Sequence, residues 1–316
     1  MLKIGPYQFN KGILLAPMSG VTDLPFRALC NHLGAELSPT EMVISDTSLW
    51  KTQKSKTRLS FSHNSSIPSM VQIVGHNERA LSLAAKTIED NGGDIVDINL
   101  GCPAKKVCGK DAGSALLKDL DKVKRIFESL RVSVNIPLTA KIRTGWCKNS
   151  INAIEVAKIA ESSGINALTI HGRTRACKFQ GQAEHETIKL VKNHVKIPII
   201  ANGDIDSYRE FKRVKAYTNA DGIMIGRAAF GNPWIFTSIL NKNDNQLTTT
   251  YNAYDMILRH MLGIYSLYGK EKGVKIARKH IGWYMKKDHL SARNKLKILS
   301  TNCYSSQYKL VREALS

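Results

Sequence analysis

Short apolar runs that each close on a polar or small residue recur at the interval of one strand plus one crossover helix. They span residues 69–72, 94–99, 138–141, 167–171, 199–202 and 222–226, and close at 72, 99, 141, 171, 202 and 226. Those closing positions lie 27, 42, 30, 31 and 24 residues apart, against roughly 30 residues for a βα unit. A stretch with 3.6-residue periodicity separates each from the next, at 78–91, 120–130, 152–163, 185–193 and 208–217, so the spacing predicts parallel strands joined by helices. Residues 13–18 supply a first strand and 36–43 a second, which makes eight. Thr22-Asp23 ahead of Leu24-Pro25 is an N-cap with proline in the first turn, opening a helix to about Leu33. Residues 4–12 read as a hairpin. Eight such units within about 240 residues predict an α/β fold, a (β/α)8 TIM barrel. Neither a GxGxxG after the first strand nor a Walker loop is present, which counts against an open nucleotide-binding sheet.

Beyond Trp234-Ile235-Phe236 the pattern changes. Residues 241–246 are a polar linker, and the remainder is lysine-rich helix pattern without a strand signal. The expected organisation is a barrel over 1–240 and a small helical bundle over 245–316. Charge follows this division. Lysine and arginine number 46 against 26 acids, a net +20, and residues 245–316 hold 13 of the bases, 4 of the acids, seven of the ten tyrosines and Trp283. Such an excess points to a polyanionic partner, nucleic acid before others, with a generally basic proteome as the bland alternative. Tyr251, Tyr254, Tyr265 and Tyr268 are spaced as a helix face, so part of this set reads as bundle core. Six scattered cysteines show neither a disulfide framework nor zinc-ligand spacing, and no metal site is expected. No apolar run approaches the roughly 18 residues of a membrane span, and the start lacks a signal-peptide core. A cytoplasmic, monomeric protein without a membrane partner is expected.

In a barrel of this kind the strand C-termini converge on one mouth, where ligands and catalysis sit. Cys102 lies between Gly101 and Pro103 at such a strand exit, ahead of a Gly/Lys/Ala-rich stretch with the composition of a mobile loop. The residues closing the other strands are Met18, Gln72, Asn99, Lys141, His171, Asn202 and Gly226-Arg227. Together they form a ring suited to a planar, hydrogen-bonding, phosphorylated ligand. Gln72 offers donor and acceptor to an amide-like edge. Lys141 brings positive charge, and Asn202-Gly203-Asp204 with Gly226-Arg227 fall where barrels bind phosphate. The pattern suggests flavin mononucleotide.

The blocks Ala16-Pro17-Met18-Ser19-Gly20-Val21-Thr22-Asp23, Asp97-Ile98-Asn99-Leu100-Gly101-Cys102-Pro103, Lys141-Ile142-Arg143-Thr144-Gly145-Trp146 and His171-Gly172-Arg173-Thr174-Arg175 resemble the motif series of the tRNA-dihydrouridine synthases. The Lys141 to Trp146 block and the late Arg278 to Tyr284 are similar to the bacterial B-type branch. The resemblance runs in order along nearly the whole chain and implies an FMN barrel followed by a helical tRNA-binding domain. By position it implies that Pro17, Met18 and Ser19 meet the isoalloxazine, and that Gln72 and Lys141 meet its polar edge. It places His171 by the ribityl or phosphate, and Asn202, Gly203, Asp204, Gly226 and Arg227 around the phosphate. It makes Cys102 the proton donor, Asn99 and Arg173 contacts to the target base, and NADPH the reductant. Glu184-His185 departs from the B-type pattern. Lys105, Lys106 and Lys110 are expected to face RNA phosphate, away from the thiol. The rival readings are a small-molecule FMN oxidoreductase on the same barrel and a non-catalytic RNA-binding protein.

Overall fold

The computed structural model describes residues 1–60, 66–244, 251–285 and 292–315. Eight strands form one parallel sheet: β1 (Ile13–Leu15), β2 (Val43–Ile44), β3 (Met70–Val74), β4 (Ile95–Leu100), β5 (Leu138–Arg143), β6 (Ala167–His171), β7 (Ile199–Asn202) and β8 (Gly222–Ile225). Their order is β1-β8-β7-β6-β5-β4-β3-β2. Leu37 bridges to Leu14 of β1, and the Leu15 N–H donates to the Leu37 carbonyl at 2.9 Å, so the two ends of the order meet in a TIM-barrel-like ring.

Alternation along the strands decides what fills the ring. Leu14, Met70, Ile95, Ala167, Ile200 and Met224 form one apolar cluster inside it. The hairpin of Leu2–Ile4 and Tyr7–Phe9 adds Leu2, Ile4 and Phe9 to this cluster and plugs the bottom. Further along the same strands the inward positions turn polar, with Gln72, Asp97, Thr139 and Thr169 all buried. The outward positions join the flanking helices in the large core. Helix starts follow their caps: the side chains of Asp23, Asn77, Asp119 and Ser207 each accept a backbone N–H three residues on.

Two expectations change. The second strand is not continuous over 36–43; Leu37 serves β1, then Thr40 N–H donates to the Met70 carbonyl at 2.9 Å and Val43 pairs with Ile73. Pro39, between these points, has no N–H for a ladder. The stretch after Cys102 is built rather than loose: Lys105–Cys108 is helical, Gly113–Lys118 is a 3₁₀ turn, and residues 112–117 are buried.

The C-terminal part is helical, with Tyr251–Tyr268, Lys270–Tyr284, Ala292–Ser300 and Tyr304–Leu315. Residues 245–250, where the linker ends and the second domain was expected to begin, lie outside the described residues, as does the side chain of Tyr251. These helices share a core of their own that includes Met261, Ile264, Tyr265, Val274, Ile281 and Tyr284. Tyr265 donates to Gln307 Oε1 at 2.7 Å, so this tyrosine is core rather than a free platform. Against the barrel, Phe26 packs on the rings of His260 and His280, and Phe230 stacks on Trp283 at 4.3 Å and 7°. Lys279 Nζ donates to the Gly20 carbonyl. Among the described residues no helix is long and apolar enough to cross a membrane.

Candidate active site at the strand C-termini

A cavity of about 1070 Å³ opens at the C-terminal ends of the strands. Strand register sets its wall: Asn99 lies beside Lys141, Arg143 beside His171, and His171 beside Asn202. Lys141 Nζ donates to Asn202 Oδ1 at 2.9 Å, and Asn202 Nδ2 donates to the Met224 carbonyl at 2.7 Å. Desolvation, then repulsion by Arg143, brings the Lys141 ammonium down to about 8, with Asp97 opposing the shift. Burial also holds His171 neutral, reinforced by Lys141, Arg143, Arg173 and Arg227.

Below this rim, Gln72 Nε2 donates to Asp97 Oδ2 at 2.6 Å and Thr139 Oγ1 donates to Asp97 Oδ1 at 2.7 Å. Asn99 Nδ2 donates to Gln72 Oε1 at 2.8 Å, while Asn99 Oδ1 accepts the N–H groups of Gly101 (3.1 Å) and Cys102 (2.9 Å). The Cys102 carbonyl in turn accepts from Ser114 Oγ at 2.8 Å, and Arg143 Nε donates to the Gly101 carbonyl at 2.8 Å. The thiol turn is thus held from both sides. Burial pushes the Cys102 thiol up; the Ala104 N–H and Arg143 pull against it, and Cys108 adds to it. Lys105, Lys106 and Lys110 are exposed and are not among the charges acting on the thiol.

Opposite the thiol turn lies a cationic end. Arg173 grips both oxygens of Asp204, and its remaining N–H groups reach His171 Nε2 and the carbonyls of Gln180 and Gly181. Arg227 reaches Asp204 Oδ1 at 3.2 Å. Burial alone would raise the Asp204 carboxyl, but Arg173, the Ala183 N–H and Arg227 hold it below the usual carboxylate range. The turn needs Gly203, whose φ of +128° is joined by a built Cβ only 2.7 Å from Ala183 Cβ. His185, at the departure from the B-type pattern, is buried beneath this turn with Nε2 3.0 Å from the Gly203 carbonyl.

The expected catalytic, cofactor and substrate positions all line this cavity: Pro17, Met18, Ser19, Gln72, Asn99, Cys102, Lys141, His171, Arg173, Asn202, Gly203, Asp204, Gly226 and Arg227; Lys105 lines it too, whereas Lys106 and Lys110 do not. Sequence reasoning missed four groups. Asp97 and Arg143 sit two residues from Asn99 and Lys141, on the same strand face, and the alternation that marks one marks the other. Phe179, 53% exposed at the mouth, lies between the Arg143 and Arg227 guanidinium groups at 5.4 and 5.1 Å. Trp283 reaches the cavity from the helical part, a contact no local signal announces. Arg173, expected at the target base, lines the cavity with all five of its N–H groups on protein acceptors.

Comparison with known proteins places these residues among relatives. The family model described as "Dihydrouridine synthase (Dus)" matches residues 14–314. The chain is 50% identical over 288 residues to the tRNA-dihydrouridine synthase B of Pasteurella multocida, covering 90% of this chain and 86% of that one. Identity to the protein of that name from Pseudomonas syringae is 48% over 288 residues, 90% of this chain and 85% of that one. The Shewanella oneidensis protein of that name is 44% identical over 315 residues, 98% of this chain and 97% of that one.

Proposed function

Given that the chain belongs to the dihydrouridine synthase family, we propose that it reduces one uridine of the tRNA D-loop to 5,6-dihydrouridine, with FMN as cofactor and NADPH as reductant. The observation that carries this reading is that Cys102, Lys141, Asn202 and Arg227 all line one cavity.

The donor set fits a flavin mononucleotide. Gln72, Lys141 and Asn202 give a polar edge, while Ala16, Pro17, Met18 and Ser19 form an adjoining wall. At the cationic end, a Cβ built on Gly226 meets nothing closer than Ala16 Cβ at 3.8 Å and Met18 Sδ at 3.9 Å, both cavity residues, so the wall is uncrowded at this position. Arg173 and Arg227 outnumber the single Asp204 carboxylate between them, which leaves net positive charge for a phosphate. Neutral His171 is available as a hydrogen-bond partner for the ribityl or phosphate. Held by these residues and reduced, FMN would supply the hydride for C6 of the uracil.

The chain's own residues supply the rest. Cys102 holds a proton on Sγ, because burial keeps the thiol protonated at neutral pH, and delivers it to C5. The Lys141 ammonium stabilises negative charge that builds on a ring beside it. Asn99, at the floor of the thiol turn, orients that turn against the target base. Flipping a base out of a loop costs less than out of a helix, which suits a D-loop substrate. Residues 1–240 act as the catalytic barrel and 245–316 as the tRNA-binding domain, whose Arg259 and Lys309 stand 78% exposed.

Purified protein should carry or take up FMN, show flavin absorbance, and convert uridine to dihydrouridine in tRNA transcripts when NADPH is added. A colourless protein that binds no FMN, or a flavoprotein that leaves tRNA unchanged while reducing free pyrimidines or enones, would overturn the reading.

A further inference from the structure

Buried carboxylates on a barrel's inner face carry a high desolvation cost unless several donors meet them. Asp97, 2% exposed, is met by Gln72 Nε2 and Thr139 Oγ1, one on each oxygen. Burial raises its carboxyl, and Thr139, Gln72 and the charge of Lys141 pull it back toward the ionised form. A carboxylate only accepts. Gln72 must therefore turn its Nε2 toward Asp97, which leaves Oε1 facing Asn99. Asn99 must then present Nδ2 to Gln72, which leaves Oδ1 for the N–H groups of Gly101 and Cys102. Those backbone groups only donate, so both ends of the chain demand the same polarity. None of the side-chain atoms in it is left without a partner among the described residues.

We infer that Asp97 is a positioning residue: it sets the orientation of the Gln72 and Asn99 amides and, through them, seats the Cys102 turn at the cavity. The seat itself is independent of any reaction. Its consequence for proton delivery rests on the role proposed above for Cys102, so the test reads the thiol rather than turnover.

The probe is iodoacetamide on full-length protein, with alkylation at each cysteine followed by mass spectrometry and exposed Cys303 as internal reference. Asp97→Leu removes the terminal acceptor and should speed Cys102 alkylation about tenfold, the scale of one lost hydrogen bond. Asp97→Asn still accepts from Gln72 through its Oδ1 and should stay within about threefold of the wild type. Asn99→Ala should match Asp97→Leu, and the double variant should be no faster than Asn99→Ala alone, because both act through one chain. Gln72→Met breaks the same chain without touching the carboxylate and carries the same expectation, which keeps the test open should Asp97→Leu not fold. Wild-type alkylation in Asp97→Leu or Gln72→Met would overturn the inference. So would an Asp97→Asn protein as fast as Asp97→Leu, or effects that multiply in the double variant.

Discussion

Lys141 is the residue whose charge state the site has tuned furthest into the working pH range. With its ammonium brought down to about 8 by desolvation and by Arg143, the folded chain binds fewer protons there than the unfolded chain between about pH 8 and the ordinary lysine value near 10.4. Stability therefore rises with pH across that window as far as this group is concerned. On the role proposed for Lys141, activity runs the other way, because the cation is lost as pH rises through about 8. A kcat/KM profile, which reports the enzyme free of substrate, should show its first descending limb near pH 8, ahead of the thiol, which burial holds above its ordinary value. Lys141→Met should remove that limb along with most turnover; an unshifted limb would assign it elsewhere. Lys141 was legible because it closes an apolar run. Asp97 and Arg143 carry the same alternation, yet a charged residue within a strand looks like a solvent position until closure of the ring turns that face inward. The partners of Arg173 were not legible, because Asp204, Gln180 and Gly181 reach it through a turn that only the folded chain forms.

At the level of elements, the parallel strands were readable because strands covered on both faces are apolar nearly throughout. The second strand was not, since the chain changes partners across Pro39 and no alternation survives the change. The helical turn Lys105–Cys108 is too short for periodicity to show, and its glycine-rich surroundings read as a loose loop. Contact between barrel and helices was equally hidden, and it yields a direct prediction. Gly231 has φ +64°, and a Cβ there would lie 2.4 Å from the Trp283 carbonyl oxygen. Gly231→Ala should destabilise the protein by about 2 kcal/mol or more, from backbone strain plus displacement of the Phe230–Trp283 stack. Denaturant unfolding measures this, and a loss below about 0.5 kcal/mol would mean that the helical part does not rest on the barrel as described.

For the whole molecule the governing quantity is a net charge of +20, of which the last 72 residues hold 13 bases against 4 acids. If tRNA is the partner, each phosphate neutralised adds roughly −0.7 to −0.9 to the slope of log affinity against log salt. A footprint of about four phosphates gives a slope near −3 or steeper by the same rule, measurable by filter binding; a flat salt dependence would remove nucleic acid as the partner. The charge excess was plain in the sequence, whereas the path of RNA over the surface depends on how the helices sit on the barrel. The account turns on the thiol at the cavity mouth, and Cys102→Ala examines it most directly. The variant should keep its flavin and its tRNA affinity while turnover to dihydrouridine is lost. Reduction of uridine at the wild-type rate would contradict the account.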